Sequence, residues 1–348
     1  MWSFKILLFS LTLLALSSCQ LFSEKQKALI KAPDNFSRLQ NKEYIADKSF
    51  NAQFIDDETV VFLKNQSPDH DEIQIYIKNK DKITKQTHLK GHNFVHKPQH
   101  SEQEFLFLSD NESEKYNLTR IQERLEQKVN AQTKTIKDLY YIPILPKELL
   151  QFNFDVYKQK SNNFKQVRLT SQLTPDLWPV YLDGDIYFSR KWEDKFHIYQ
   201  LNTKNKKAYR KTKTENHQTL LSAQDHLAAW VEFSDNWTDS KLKLAKSFTD
   251  KVIIELPMGV IQSIDVHPTK NLVMISSNYK DDQFELYVFD LNRSCIQRLS
   301  YLKSNEYWPS WHPSGQKFIY TSDLRSQLQV YESQFFGSNS CTEVSGNL

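Results

Sequence analysis

The chain has 348 residues, of which 39% are hydrophobic, 25% charged and 13% aromatic, with 45 Lys and Arg against 42 Asp and Glu. This is the composition of a folded globular chain and excludes a disordered or collagen-like one. A formal net charge of +3 gives no global electrostatic reason to bind nucleic acid.

Only 6 glycines occur, at positions 91, 184, 259, 315, 337 and 346. No two stand close enough to build a dinucleotide fingerprint or a phosphate-cradling loop. There is no G-x-S-x-G and no H-E-x-x-H. The pattern calls for no cofactor and names no catalytic residue.

Residues 1–18 read as an export signal. Lys5 supplies the positive start, and Ile6 to Leu16 is an apolar run broken only by Ser10 and Thr12. A spanning helix needs about 20 apolar residues, so this run is too short. It ends in Leu16-Ser17-Ser18-Cys19, which resembles the lipobox of bacterial lipoproteins. The resemblance implies that Cys19 is lipidated and begins the mature chain. Gln20 rather than Asp follows, which in Gram-negative lipoproteins of this type implies the outer membrane, facing the periplasm. Residues 19–35 are then the lipidated Cys and a polar tether. Cys295 and Cys341 are the remaining cysteines. In an exported chain they are candidates for a disulfide, the alternative being two separate thiols.

The body repeats. One set of apolar segments reads Ile73-Gln74-Ile75-Tyr76, Phe154-Asp155-Val156-Tyr157, His197-Ile198-Tyr199-Gln200-Leu201, Leu242-Lys243-Leu244-Ala245, Leu286-Tyr287-Val288-Phe289 and Leu328-Gln329-Val330-Tyr331. A second set precedes it, from Thr59-Val60-Val61-Phe62 to Lys317-Phe318-Ile319-Tyr320. A third element follows, as Val167-Arg168-Leu169-Thr170 and Ile296-Gln297-Arg298-Leu299-Ser300. Six units recurring roughly every 44 residues, each with several strands, predict an all-β, six-bladed propeller over residues 36–335. One unit cannot bury both faces of its sheet; stacking six radially can. Residues 336–348 are a C-terminal tail.

The segment from Tyr307-Trp308-Pro309-Ser310-Trp311-His312-Pro313-Ser314-Gly315 to Ser322 resembles the repeat of TolB-type propellers. Weaker copies are Trp178-Pro179 to Asp185 and Asp265-Val266-His267-Pro268-Thr269-Lys270-Asn271. The resemblance implies aromatics packed between blades, a proline turn, and Gly or Asn at positive φ in that turn. It also implies protein partners held at the ring faces and central mouth. The separate domain that TolB carries before its propeller is not seen here, so a direct part in the Tol system is not expected.

Ring closure has two candidates. Phe36-Ser37-Arg38-Leu39-Gln40 mimics the outermost strand of a blade but stands alone, so it is expected to complete blade six. Thr342 to Val344 is the alternative. Blade two carries an insertion, residues 111–148. Leu118, Ile121, Leu125 and Val129 fall at helical spacing, which predicts a short amphipathic helix. The apolar run Tyr140-Tyr141-Ile142-Pro143-Ile144-Leu145-Pro146 follows, as a partner surface or as packing on blade two. Trp192 and Trp237 lie in polar loop contexts and are expected to be exposed, as further candidates for that surface.

Candidate metal ligands are weak. His88, His92, His96 and His100 recur every four residues, but Gly91 and Pro98 interrupt any helix and no carboxylate accompanies them. His267 and His312 share one turn position in consecutive blades and are expected to cap those turns. Lys204, Lys206, Lys207, Arg210, Lys211 and Lys213 form a basic run, either a solvated edge or a surface for anionic headgroups or an acidic partner. The expected function is a lipid-anchored envelope module that binds or scaffolds an envelope protein. The alternative is an envelope enzyme acting on polysaccharide at the central channel, as in the oligogalacturonate lyases that share this repeat.

Overall fold

The computed structural model describes residues 39, 42–45, 49–67, 70–87, 93–99, 104–109, 154–160, 165–171, 174–280, 282–301, 304–324, 328–337 and 341–343. Cys19, Tyr140, Tyr141, Ile142, Ile144, Leu145 and the expected helix lie outside them, as do His88, His92 and His100. Among the described residues all regular structure is strand.

Six antiparallel sheets follow one another along the chain. The chain enters at β1 (Lys42–Ile45). Blade one is β2 (Ser49–Phe54), β3 (Thr59–Ser67), β4 (His70–Asn79) and β5 (Lys82–Lys85). Blade two is β6 (Asn93–Gln99), β7 (Glu104–Ser109), β8 (Asp155–Lys160) and β9 (Gln166–Arg168). Blade three is β10 (Asp176–Leu182), β11 (Asp185–Trp192), β12 (Lys195–Asn202) and β13 (Lys207–Arg210). Blade four is β14 (His217–Gln224), β15 (Leu227–Phe233), β16 (Ser240–Ala245) and β17 (Ile254–Pro257). Blade five is β18 (Ile261–Val266), β19 (Leu272–Ser277), β20 (Glu285–Asp290) and β21 (Cys295–Arg298). Blade six is β22 (Glu306–Trp311), β23 (Lys317–Ser322) and β24 (Gln329–Gln334). The innermost strands neighbour one another in the order β2, β6, β10, β14, β18 and β22, and β22 returns to β2. The ring closes, and the predicted six-bladed propeller is the observed fold.

Closure is made by β1, which pairs antiparallel with β24. The closing strand is thus Lys42–Ile45, a few residues after the expected segment Phe36 to Gln40. Ile45 decides the register: it is buried with Val60, Ile319 and Val330. Of the expected segment only Leu39 is described, and it packs against the apolar cluster of Trp311, Phe318 and Tyr331. The C-terminal alternative goes elsewhere. β25 (Thr342–Glu343) adds to β21 as a fifth strand of blade five. The Cys295–Cys341 disulfide, with Cα atoms 5.6 Å apart, clips that strand in place.

Blade interiors are aromatic. The last residues of the second-strand repeat and the tyrosines of the third strand face each other as Phe62–Tyr76, Phe107–Tyr157, Phe188–Tyr199 and Tyr320–Tyr331, all stacked with centroids 5.2–6.0 Å apart. Each such cross-strand pair adds about 0.5–1.5 kcal/mol beyond area burial. Blades four and five depart: Lys243 lies opposite Trp230 and pairs with Glu232 and Glu255, and Tyr287 lies opposite Ile275.

Every innermost strand carries a bulge. In four of them a residue inside the bulge has positive φ: Asn51, Trp178, Leu220 and Trp308. An extra residue bends the strand and sharpens its local twist. Pro179 and Pro309 follow two of these tryptophans, where the ladder is interrupted and a missing N–H costs little.

The turn after the innermost strand follows the motif only in part. Asp183 and Gly184 both take positive φ, the two-residue hairpin geometry, and Gly315 takes φ +67. Asn271, expected to do the same in blade five, does not. His267 fills that turn instead. Its Nδ1 accepts the N–H groups of Thr269 and Lys270 at 3.1 and 3.0 Å, and its Nε2–H donates to the Gly315 carbonyl of blade six at 3.2 Å. His312 repeats the device, with Nδ1 on Ser314 N–H and Nε2 toward the Asp57 carbonyl of blade one. Both histidines cap turns, as the sequence led one to expect, and both also stitch one blade to the next.

Candidate functional site

The polar interior lies between blades. The third strand repeats an apolar–polar–apolar–Tyr pattern: Ile73-Gln74-Ile75-Tyr76, Phe154-Asp155-Val156-Tyr157, Phe196-His197-Ile198-Tyr199, Phe284-Glu285-Leu286-Tyr287 and Leu328-Gln329-Val330-Tyr331. Gln74, Asp155, His197 and Glu285 are all buried. Each faces the first residue of the next blade's innermost strand. Asp176 N–H donates to Phe154 O at 2.9 Å, Glu306 N–H to Phe284 O at 2.8 Å, and Asn93 Nδ2 to Ile73 O at 3.4 Å. His217 holds the same place after His197. A hydroxyl just past the outer strand closes the unit. Thr87, Thr170, Thr212 and Ser300 accept the backbone N–H of Ile75, Val156, Ile198 and Leu286 at 2.8–3.0 Å.

The seam between blades two and three balances its charge. Arg168 pairs with Asp155, and its Nε donates to the Thr170 carbonyl at 2.9 Å. Arg190 grips Asp176 through two bonds of 2.6 and 2.7 Å. Burial raises the Asp176 pKa and the Arg190 fork opposes that rise. Two carboxylates thus meet two guanidinium groups.

The seam between blades five and six does not. Arg298 pairs with Glu285 at 2.6 Å and repeats the Arg168 geometry, its Nε donating to the Ser300 carbonyl at 2.8 Å. Glu306 stands at the Asp176 position, but the residue opposite it is Ser322, where blade three has Arg190. Glu306 is 0% exposed. Its Oε1 accepts from Ser304 at 2.6 Å and Ser322 at 3.3 Å, while Oε2 has no partner. Burial first, and then the Glu285 charge, push its pKa up to about 8, against the hydroxyl bonds that lower it. Glu306 therefore keeps its proton at neutral pH.

The seam between blades three and four carries the histidine pair. Burial, with Lys195, Lys191 and His197 adding to it, lowers His217 to about 4. His217 stacks on Trp237 with centroids 4.4 Å apart, and Phe233 flanks the same indole at 5.1 Å. Trp237 is therefore half-buried against the core, where an exposed ring was expected. Trp192 is 51% exposed, at the end of β11, with the Arg210 guanidinium 5.1 Å above its ring. Tyr209 on β13 is 49% exposed.

The basic run forms the β12–β13 hairpin and its edge strand. Asn202 Oδ1 accepts the N–H groups of Lys204 and Asn205, and Asn205 Oδ1 that of Lys207, which fixes the turn. Lys206 and Lys207 line a cavity of about 510 Å³ together with Arg168, Arg190, Leu201, Ala208 and Tyr209. His96 lies on β6, opposite Leu106. Among the described residues no three His, Cys, Asp or Glu side chains are grouped to hold a metal ion.

The seam residues escaped the sequence reading. Their signal is a polar residue two before the third-strand tyrosine, with Thr or Ser 12–14 residues after the residue between them. The segments were legible, but two of them began at His197 and Leu286, one and two residues past the first position of the repeat.

This ring of six antiparallel sheets defines a six-bladed β-propeller. Among solved structures, TolB from Acinetobacter baumannii matches with a TM-score of 0.51 at 10% identity, over 82% of this chain and 65% of that one. The putative TolB from Agrobacterium tumefaciens matches with a TM-score of 0.40 at 11% identity, over 58% of this chain and 64% of that one. An oligogalacturonate lyase from Vibrio parahaemolyticus matches with a TM-score of 0.49 at 10% identity, over 87% and 98%. The likeness to TolB holds at the level of fold, and this chain spans less than two thirds of either TolB chain's length. No protein-family model and no curated protein matches the chain.

Proposed function

We propose that this chain is a lipid-anchored propeller of the bacterial envelope, held at the outer membrane through Cys19 and facing the periplasm, where it binds or scaffolds an envelope protein. The observation that carries the binding role is the half-exposed Trp192 with Arg210 over its ring. Trp and Arg, with Tyr, are the residues most enriched at binding hot spots. The Cys295–Cys341 bond supports an oxidising compartment. The run Tyr140 to Leu145 belongs to the same proposal as a second contact.

The test is crosslinking in native envelopes followed by capture of the full chain. A Cys19→Ala chain is expected in the soluble fraction, and Trp192→Ala is expected to lose a partner that the unaltered chain retains. Palmitate labelling that survives Cys19→Ala would sink the anchor. An identical set of crosslinked proteins with Trp192→Ala, and with residues 111–146 deleted, would sink the partner surface.

A further inference from the structure

We propose that the wedge between the outer strands of blades two and three is a binding site for a phosphomonoester on a small polar carrier. Its cavity of about 510 Å³ lies within the range of small-molecule sites, roughly 300–1,000 Å³. Four cationic residues line it: Arg168 and Arg190 from two different blades, and Lys206 and Lys207 from the β12–β13 hairpin. The arginines are matched by the buried Asp155 and Asp176. The lysines are not. Among the described residues, none of Lys204, Lys206, Lys207, Arg210, Lys211 and Lys213 has a carboxylate within 4 Å.

Two uncompensated ammonium groups favour a ligand with about two negative charges. A phosphomonoester carries −1.5 to −2 near neutral pH, whereas a single carboxylate would leave one lysine unmatched. The hairpin is held by the Asn202 and Asn205 side chains, so both lysines are presented on a fixed turn. Leu201 and Ala208 supply an apolar floor, and the exposed Tyr209 ring supplies a flat wall for the carrier. The phosphoryl group has two possible sources, a free sugar phosphate or the headgroup of an acidic lipid.

Calorimetric titration of the purified full chain at low salt separates them. The probes are glucose 1-phosphate, and dihexanoyl phosphatidic acid below its micelle-forming concentration. Glucose and dihexanoyl phosphatidylcholine are the neutral controls. Saturable binding of a phosphorylated probe, weakened about tenfold or more by the Lys206→Ala/Lys207→Ala double variant, is the expected result. Saturation by only one of the two probes identifies the source. Lys204→Ala, in the same run but outside the cavity, is expected to change affinity less than about twofold. Both substituted lysines are exposed, and near-UV circular dichroism checks that the ring is intact. Three results would each overturn the site: no saturable binding of either phosphorylated probe, equal binding by the double variant, or an equal loss with Lys204→Ala.

Discussion

The seams between blades two and three and between blades five and six use the same positions with different charge. Both place an acid on the third strand of one blade and an acid at the start of the next innermost strand. Both have an arginine on the outer strand, Arg168 or Arg298, that reaches the first acid and the carbonyl two residues on. They differ opposite the second acid, where Arg190 faces Asp176 and Ser322 faces Glu306. One seam is a closed set of ion pairs. The other has one guanidinium for two carboxyl groups, and a proton supplies the missing positive charge. The repeat thus fixes where polar groups are buried, and a single side chain decides whether the buried acid is ionised.

Removing the arginine that distinguishes them has the largest expected effect. Arg190→Leu leaves Asp176 buried with no cation, and breaking a buried pair this way costs about 3–5 kcal/mol. Thermal unfolding at pH 7 should drop by roughly 4–8 °C for a chain of this size. A drop of under a degree or two would mean that Asp176 is already neutral. The paired amide substitutions come next. Asp176→Asn leaves Arg190 facing a neutral group and is expected to cost about 2–3 kcal/mol. Glu306→Gln replaces a protonated carboxyl with its neutral isostere and is expected to cost under about 1 kcal/mol at pH 6. Equal losses in the two variants would erase the distinction between the seams.

The same contrast predicts a pH profile. The Glu306 pKa is about 8 in the folded ring, above an ordinary carboxylate value of 4.5. A folded-state pKa raised in this way gives stability that is full below pH 4.5 and is lost as pH rises to about 8. The unaltered chain should therefore lose stability across that window, and Glu306→Gln should lose less and be the more stable of the two above pH 8. Chemical denaturation at half-unit pH steps measures this. Parallel curves for the two chains from pH 5 to 9 would show that Glu306 does not titrate there.

Much of the ring was legible in the sequence because its apolar repeat is physical: each segment buries a sheet face, and Phe62, Phe107, Phe188 and Tyr320 recur at one register. The disulfide candidates were legible because Cys295 and Cys341 are the only cysteines that follow Cys19. The seams were harder to see. Gln74, Asp155, His197, Glu285 and Gln329 share a position but range over amide, carboxylate and imidazole, so no single residue type marks it. Their partners lie in the next blade, where periodicity along one chain does not reveal the pairing. Ring closure was misplaced by a few residues for a related reason. Arg38-Leu39 copies the end of an outer strand, whereas the pairing that closes the ring is decided by Ile45 entering the core shared by blades one and six.

The most local effect has the opposite sign and belongs to the turn histidines. His267 accepts two backbone N–H groups on Nδ1, so a proton there would face two donors and break both bonds. Burial, opposed by its bond to Gly315 and helped by Lys270 and His226, lowers its pKa to about 4 from 6.5. A lowered value gives stability that is full above pH 6.5 and is lost as pH falls toward 4, by up to about 2 kcal/mol. The loss is local, because the cap holds one turn and one contact with blade six. Amide exchange at Thr269 and Lys270, corrected for its intrinsic pH dependence, should accelerate over that window before the β18 and β19 amides do. The Gly315 side of the contact tests the same geometry. A Cβ at Gly315 would sit 2.3 Å from the His267 ring, on a backbone with φ +67. Gly315→Ala should therefore expose the Thr269 and Lys270 amides already at pH 7. If those amides stay protected in Gly315→Ala and in the acidified chain alike, the histidine is not what holds the two blades together there.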